Sequence, residues 1–373
     1  MIEIKATSQD YGLGPYTYPR GWFVIAEARE LDDGPMAVSY FGKDFALYRG
    51  ESGRVVLLDA YCKHMGTHMT KSRSAHIAAT SQLIEGDSIR CPYHAWKYGP
   101  TGELEEIPYQ PGVCPKSANI EAYHVVEMMG CIFMWHNPEG GEPEFEPPYL
   151  PAWDSETAIH WQLDHLGEVP IHQLEILDNM SDVRHLGPTH GSPCEYFENE
   201  YRNEVCIQRQ GGTLATYRAH LDTVTWYTGP GILLSKQTYL GLELFELIAN
   251  TPVKDGISKA WHAVLSFSPD GPPKAKDIVT AREAQAQALA AFSTDFEVWK
   301  HKLPAITVMQ TKNDGQFKHQ RKWASQFYMS AEEARKVHTE VNCVLPVLDF
   351  PQPTTEVRDG GFEDDCFKRY SLS

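Results

Sequence analysis

The sequence predicts an α+β protein in two parts, an all-β unit followed by a domain in which an antiparallel sheet is covered by helices. Three observations predict it. Residues 20–140 break into short apolar or alternating runs punctuated by Gly, Asp and Pro, the pattern of strands and turns. The stretch "NPEGGEPEFEPPYLP", 137–151, has no periodicity and reads as an extended connector. Beyond it, strand-like runs give way at 275–302 to a segment rich in Ala, Gln, Glu and Leu, which is the composition of a long helix.

The whole chain sets bounds first. Its 373 residues suffice for two domains with separate cores. We expect an N-terminal segment at 1–19, a β unit at 20–140, a linker at 141–152 and a second domain at 153–373. No apolar run approaches a bilayer-spanning length. The first residues lack the basic start and apolar stretch of a signal peptide, so a soluble, cytoplasmic protein is expected. Thirty-three basic against fifty acidic residues leave a net charge of −17, which argues against nucleic-acid binding. The eight cysteines are spread thinly, unlike a secreted disulfide framework. Most are expected as small buried hydrophobes.

In the β unit the predicted strands are "GWFVIAEA", "PMAVSYFG", "KDFALYRG" and "RVVLLDAY", then "SIRCPY", "HAWKYG", "YHVVEMM" and "CIFMWHN", with a hairpin at Gly130. In the second domain "IHQLEILDNMSDVRHL" has helical spacing, and strands follow in "NEVCIQRQ", "TLATYRAHLDTVTWYT", "GILLSKQTYLGLELFELIAN" and "SKAWHAVLSFSP". After the long helix, "SAEEARKVHTEV" predicts a shorter one with Ser330 as its N-cap.

Two groups of residues carry chemistry. Cys62 and His64 lie in "YCKHMGTH", and Cys91 and His94 in "CPYHAWKYG". Two cysteines and two histidines suit tetrahedral zinc or a two-iron, two-sulfur cluster with the cysteines on one iron and the histidines on the other. Zinc fingers pair like with like on each turn. Here each turn carries one of each, which fits the cluster. The second group lies in "ILDNMSDVRHLGPTHGSP". Glu175, Asp178, Asp182 and His185 fall at helical spacing on one face, Gly187 and Pro188 break the helix, and His190 follows. Two imidazoles and one carboxylate make the facial triad of non-haem iron(II) sites.

The motif "CKH…CPYHAW", with Asp-x-x-His-x-x-x-x-His beyond it, resembles the Rieske non-haem iron oxygenases, in flavour the ketosteroid hydroxylase oxygenase components. The resemblance covers nearly the whole chain. It implies a Rieske domain followed by a helix-grip catalytic domain, with one [2Fe-2S] cluster on Cys62, His64, Cys91 and His94 and one mononuclear iron on His185 and His190. It assigns Asp182 as the carboxylate bridging to a neighbouring subunit's cluster histidine, and Asp295 of "TDFEVWKHK" as the third iron ligand, with Glu297 and Asp277 as alternatives and Trp299 as core. It further implies a head-to-tail homotrimer, an NAD(P)H-dependent reductase with or without a ferredoxin, and hydroxylation of a large apolar, steroid-like or polycyclic substrate. Ring dioxygenation, O- or N-demethylation and desaturation use the same scaffold. An electron-transfer protein and a zinc-stabilised binding module are the readings from other classes. Between His64 and Cys91 stand 26 residues, more than the family usual. The excess, "KSRSAHIAATSQ", is expected as a surface loop, with His68 and His76 as ordinary loop residues. A large apolar pocket is expected from Leu221, Trp226, Tyr227, Ile232, Leu234, Tyr239, Leu242, Leu244, Phe245 and Leu247, some facing inward and some in the core.

Overall fold

The computed structural model describes residues 3–215, 218–347, 349–358 and 368–370. Cys366 lies outside them. They form two compact units, one of residues 24–135 and one of 1–23 with 136–373.

The smaller unit is all β apart from short helical turns. Strands at Met36–Tyr40, Lys43–Arg49, Val55–Asp59 and Ala122–Tyr123 form one antiparallel sheet. A second sheet runs Ile84–Glu85, Ser88–Arg90, Lys97–Tyr98 and Leu104–Glu106. Val125–Met128 and Cys131–His136 make the hairpin at Gly130. Met129 and Gly130 both have positive φ, 49° and 69°, the backbone that a two-residue hairpin turn demands. The 71–82 segment is an exposed loop holding one short helix, His76–Ala79.

The larger unit is built on nine strands, in chain order β1 Ala158–Ile159, β2 Asp164–Val169, β3 Tyr196–Arg202, β4 Val205–Leu214, β5 Ala219–Thr228, β6 Ile232–Tyr239, β7 Leu242–Lys254, β8 Ile257–Phe267 and β9 Cys343–Pro346. The sheet order is β1-β8-β7-β6-β5-β4-β3-β9, with β2 also paired to β8. Among the helices that accompany it are α1 Gln173–Asp178, α2 Leu186–His190, α3 Ala275–His301, α4 Phe317–Ser325 and α5 Ala331–Val341. Ser330 caps α5, its hydroxyl accepting from Glu333 N while the Glu333 carboxylate accepts from Ser330 N. The reciprocal bonds satisfy backbone donors that a helix start leaves orphaned.

The sheet face that carries α3 follows from contacts. Ala260 packs with Phe296 and Trp299, and the His262 ring stacks on Phe292 at 6.0 Å. Cross-strand partners share a face, so the registers carry this face to Glu246, Ser235, Thr225 and Gln208. The connector after 136 is tied to the chain's start, since Trp22 Nε1 donates to Phe145 O at 2.7 Å and Arg20 pairs with Glu144. Among the described residues no helix is long and apolar enough to cross a membrane.

Candidate metal centres

In the smaller unit two loops adopt the same turn. Gly66 N donates to Cys62 O, and Cys62 N to Thr67 O. Ala95 N donates to Cys91 O, and Cys91 N to Trp96 O. Gly66 and Ala95 occupy the equivalent left-handed position, with φ of 69° and 58°. The matching turns bring like side chains together. Cys62 and Cys91 are buried in the unit's apolar cluster, and each thiol acts on the other's charge. The Cys91 thiol, with the Tyr98 hydroxyl at 3.3 Å, holds Cys62 below the ordinary thiol range against its burial, while Cys91 is driven up by its partner and by burial. The half-buried His64 and His94 rings lie 4.6 Å apart, and Trp96 stacks on His64 at 7°. His64 Nδ1 is buried with no hydrogen-bond partner, which costs free energy unless something ligates it. No three of the four ligand atoms lie within 4.8 Å of one another, as one tetrahedral ion requires. Sulfur paired with sulfur and imidazole with imidazole fits a two-iron cluster. His68 and His76 join neither pair.

In the larger unit His185, His190 and Asp295 bring one ligand atom each within 4.8 Å of one another. Asp295 Oδ1 lies 3.3 Å from His190 Nε2 and 3.9 Å from His185 Nε2. Each residue's other polar atom is engaged. His185 Nδ1 donates to Asp182 O, His190 Nδ1 faces Thr294 Oγ1 at 3.2 Å, and Asp295 Oδ2 accepts from Asn179 Nδ2 at 3.2 Å. These contacts turn both Nε2 atoms and Oδ1 toward one point, the orienting shell that a metal site needs. Three protein ligands leave the rest of an octahedron open. Among the described residues no other such set of three exists. Asn179 and Thr294 have no motif of their own, so their roles are visible only in the folded chain.

The local structure departs from the expected single helix. α1 ends at Asp178 and turns fill 179–185. Gly187 and Pro188 lie inside α2 rather than breaking a helix, for Pro188 sits in the first turn, where its missing N–H costs no bond. Glu175 and Asp178 therefore leave the face of His185. Glu175 is held by Lys302, Tyr11 and Ala305 N, and Asp178 by Arg321. The carboxylate of Asp182 is 35% exposed and 3.9 Å from His185 Nδ1, so the backbone oxygen, not the carboxylate, holds the ring. Glu297 is exposed on α3, and Asp277 caps the helix start through Lys274 N. Trp299 is core.

A β unit with this paired cysteine–histidine arrangement, ahead of a sheet-and-helix domain with an open two-histidine, one-carboxylate set, defines the Rieske non-haem iron oxygenases. Comparison with known proteins is specific. The Rieske [2Fe-2S] domain model matches residues 21–123. The model for the 3-ketosteroid 9α-hydroxylase C-terminal domain matches 134–328, more than half of the chain, and the chain belongs to that family. A probable 3-ketosteroid-9-alpha-monooxygenase oxygenase component from Rhodococcus rhodochrous is 28% identical over 353 residues, covering 89% of this chain and 86% of its own. Cholesterol 7-desaturase from Bombyx mori is 28% identical, over 84% of this chain and 70% of its own. The crystal structure of dicamba monooxygenase bound to dicamba has a TM-score of 0.62 at 17% identity, covering 87% of this chain and 99% of that one, a likeness of fold. The chain is a Rieske-type oxygenase, an oxidoreductase with a [2Fe-2S] cluster and a mononuclear iron.

Proposed function

We propose that the chain is the terminal oxygenase component of a multi-component monooxygenase that hydroxylates a steroid-like or polycyclic substrate. The observation that carries it is the convergence of His185 Nε2, His190 Nε2 and Asp295 Oδ1 with their remaining polar atoms already engaged. Iron bound there supplies dioxygen activation. The residues around it hold the ligands, and the sheet beneath positions substrate. Cys62, Cys91, His64 and His94 would hold the cluster. The relatives' names give the substrate class.

Electrons come from a separate NAD(P)H-dependent reductase, directly or through a ferredoxin, since the sequence has no dinucleotide fingerprint. The assembly is a head-to-tail trimer in the cytoplasm. Its support is the exposed apolar rim of the histidine loops, where Met65, Tyr93 and Tyr109 are 63%, 61% and 60% exposed, a surface that asks for a cover. The outward Asp182 carboxylate is free to accept from a neighbour's His94. Desaturation is the second reading, favoured by the Bombyx mori relative.

The test is single turnover of the reduced, iron-loaded protein with 3-ketosteroids and dioxygen, products read by mass spectrometry, beside His185→Ala. A product gaining one oxygen, absent from the variant while its cluster absorption persists, supports hydroxylation. A product two hydrogens lighter makes it a desaturase. Activity surviving in His185→Ala would refute the triad.

A further inference from the structure

On the face of the sheet that carries α3, Gln210, Thr223 and Gln237 stand directly opposite one another on β4, β5 and β6. The same row begins on β3 with Phe197, opposite Gln210. Phe197 shares a buried apolar cluster with Val183, two residues from the proposed iron ligand His185. The row therefore leads away from the iron-bearing segment across three strand spacings, each about 4.8 Å. None of its three polar side chains is fully used. Thr223 is buried and its hydroxyl has no partner. Gln210 accepts a thiol contact from Cys194 at 3.6 Å on its oxygen, and among the described residues its NH2 has no partner. Gln237 donates to Glu246 Oε2 at 2.7 Å. That carboxylate only accepts, so the Gln237 NH2 must face it, and its carbonyl oxygen is left unpartnered among the described residues. The orientation is locked one step further, because Glu246 Oε1 is held by His262 at 2.9 Å and His262 by Asp164 at 2.8 Å.

A row of an amide donor, a hydroxyl and a carbonyl acceptor is complementary to a group that both accepts and donates. Leaving such groups unmet in a closed site costs more than burying apolar ones. We infer that Gln210, Thr223 and Gln237 form a hydrogen-bonding strip that reads a hydroxyl on the substrate. The substrate thus carries a hydroxyl on its polycyclic frame, accepting from Thr223 or Gln210 and donating to Gln237. This rests on the steroid-like reading above and narrows it. It also accounts for the expected apolar pocket being only part of this face. Leu221, Tyr227, Tyr239, Leu242 and Leu244 share it, Leu242 exposed at its end, whereas Trp226, Ile232, Leu234, Phe245 and Leu247 have the opposite parity and are buried on the other side.

The experiment is equilibrium dialysis of the metal-loaded protein against 3-ketosteroids bearing one hydroxyl on ring A, C or D, and against the deoxy parent androst-4-en-3-one. The wild type should bind at least one hydroxysteroid about tenfold more tightly than the parent. Thr223→Val and Gln237→Leu should bring that ratio close to one, and Thr223→Ser should keep it. Equal binding of all probes by the wild type, or a ratio unmoved in both variants, overturns the strip. Binding of none of the steroids would sink the steroid reading instead. The strip is then decided with 1-hydroxypyrene against pyrene, where equal or absent binding overturns it.

Discussion

His262 is fully buried between Asp164 and Glu246, with Gln285 on Asp164 and Phe292 of α3 over its ring. Burial alone would push the imidazole down, but the two carboxylates outweigh it and raise it from 6.5 to about 9. At 1.36 kcal/mol for each pH unit, that span is worth about 3 kcal/mol of folding free energy. The folded value lies above the unfolded one, so this stability is fully present below pH 6.5 and is lost as pH rises through about 9. For a domain of this size about 3 kcal/mol corresponds to roughly 6–12 °C in Tm. The assay is thermal unfolding of the full chain by circular dichroism between pH 6 and pH 10, for wild type and His262→Gln. Groups common to both proteins cancel in the difference. The wild type should lose about 3 kcal/mol more than the variant across that range. Parallel losses would show that no imidazolium is held there, and the locked orientation of Gln237 would lose its anchor.

Other perturbations separate the two metal sites. Asp295→Asn should lower iron from about three to about two per chain with sulfide unchanged, and a fall in both would place Asp295 in folding rather than ligation. Asn179→Ala and Thr294→Val should each weaken mononuclear iron binding by about 10–100-fold in competition with a chelator, whereas unchanged affinity would make their contacts incidental. Tyr98→Phe removes a hydrogen bond to the Cys62 sulfur and should lower the cluster potential by about 40 mV, from roughly 1 kcal/mol for a one-electron couple; an unchanged or higher potential would contradict this. Asp182→Asn should keep both metals, because the backbone oxygen holds His185, and slow only electron delivery; iron loss would mean that the carboxylate is itself a ligand.

The cluster loops were legible because their information is local. Each cysteine, histidine and turn position falls within six residues, and the two loops repeat one hydrogen-bond pattern. The central strands β4 to β8 and α3 were legible from composition and period. β1, β2, β3, β9, α4 and the true end of α1 were not. "YFENEYR" mixes charge into a strand whose Glu198 is buried only because Arg209 and Arg358 meet it from elsewhere, and α4 is polar except where Trp323 enters a distant core. Spacing put Glu175, Asp178, Asp182 and His185 on one helix face. Tertiary partners, Lys302 and Arg321, instead draw the first two away.

The substrate face shows why period alone fails at the last step. Alternation in β5 and β6 separates two sets of side chains, but it does not say which set faces the iron. Hydrophobicity favours the set containing Trp226, Ile232 and Leu234. Register decides otherwise, because Ala260 and His262 lie beneath α3 and parity then carries Thr223, Ser235 and Gln237 to the same side. A fully apolar floor would hold a hydrocarbon through area alone and tolerate its rotation about the iron. A floor with one oriented carbonyl and one buried hydroxyl penalises every pose that leaves them unmet. Position of attack is thereby tied to where the substrate carries its oxygen, a selectivity that the metal chemistry by itself does not supply.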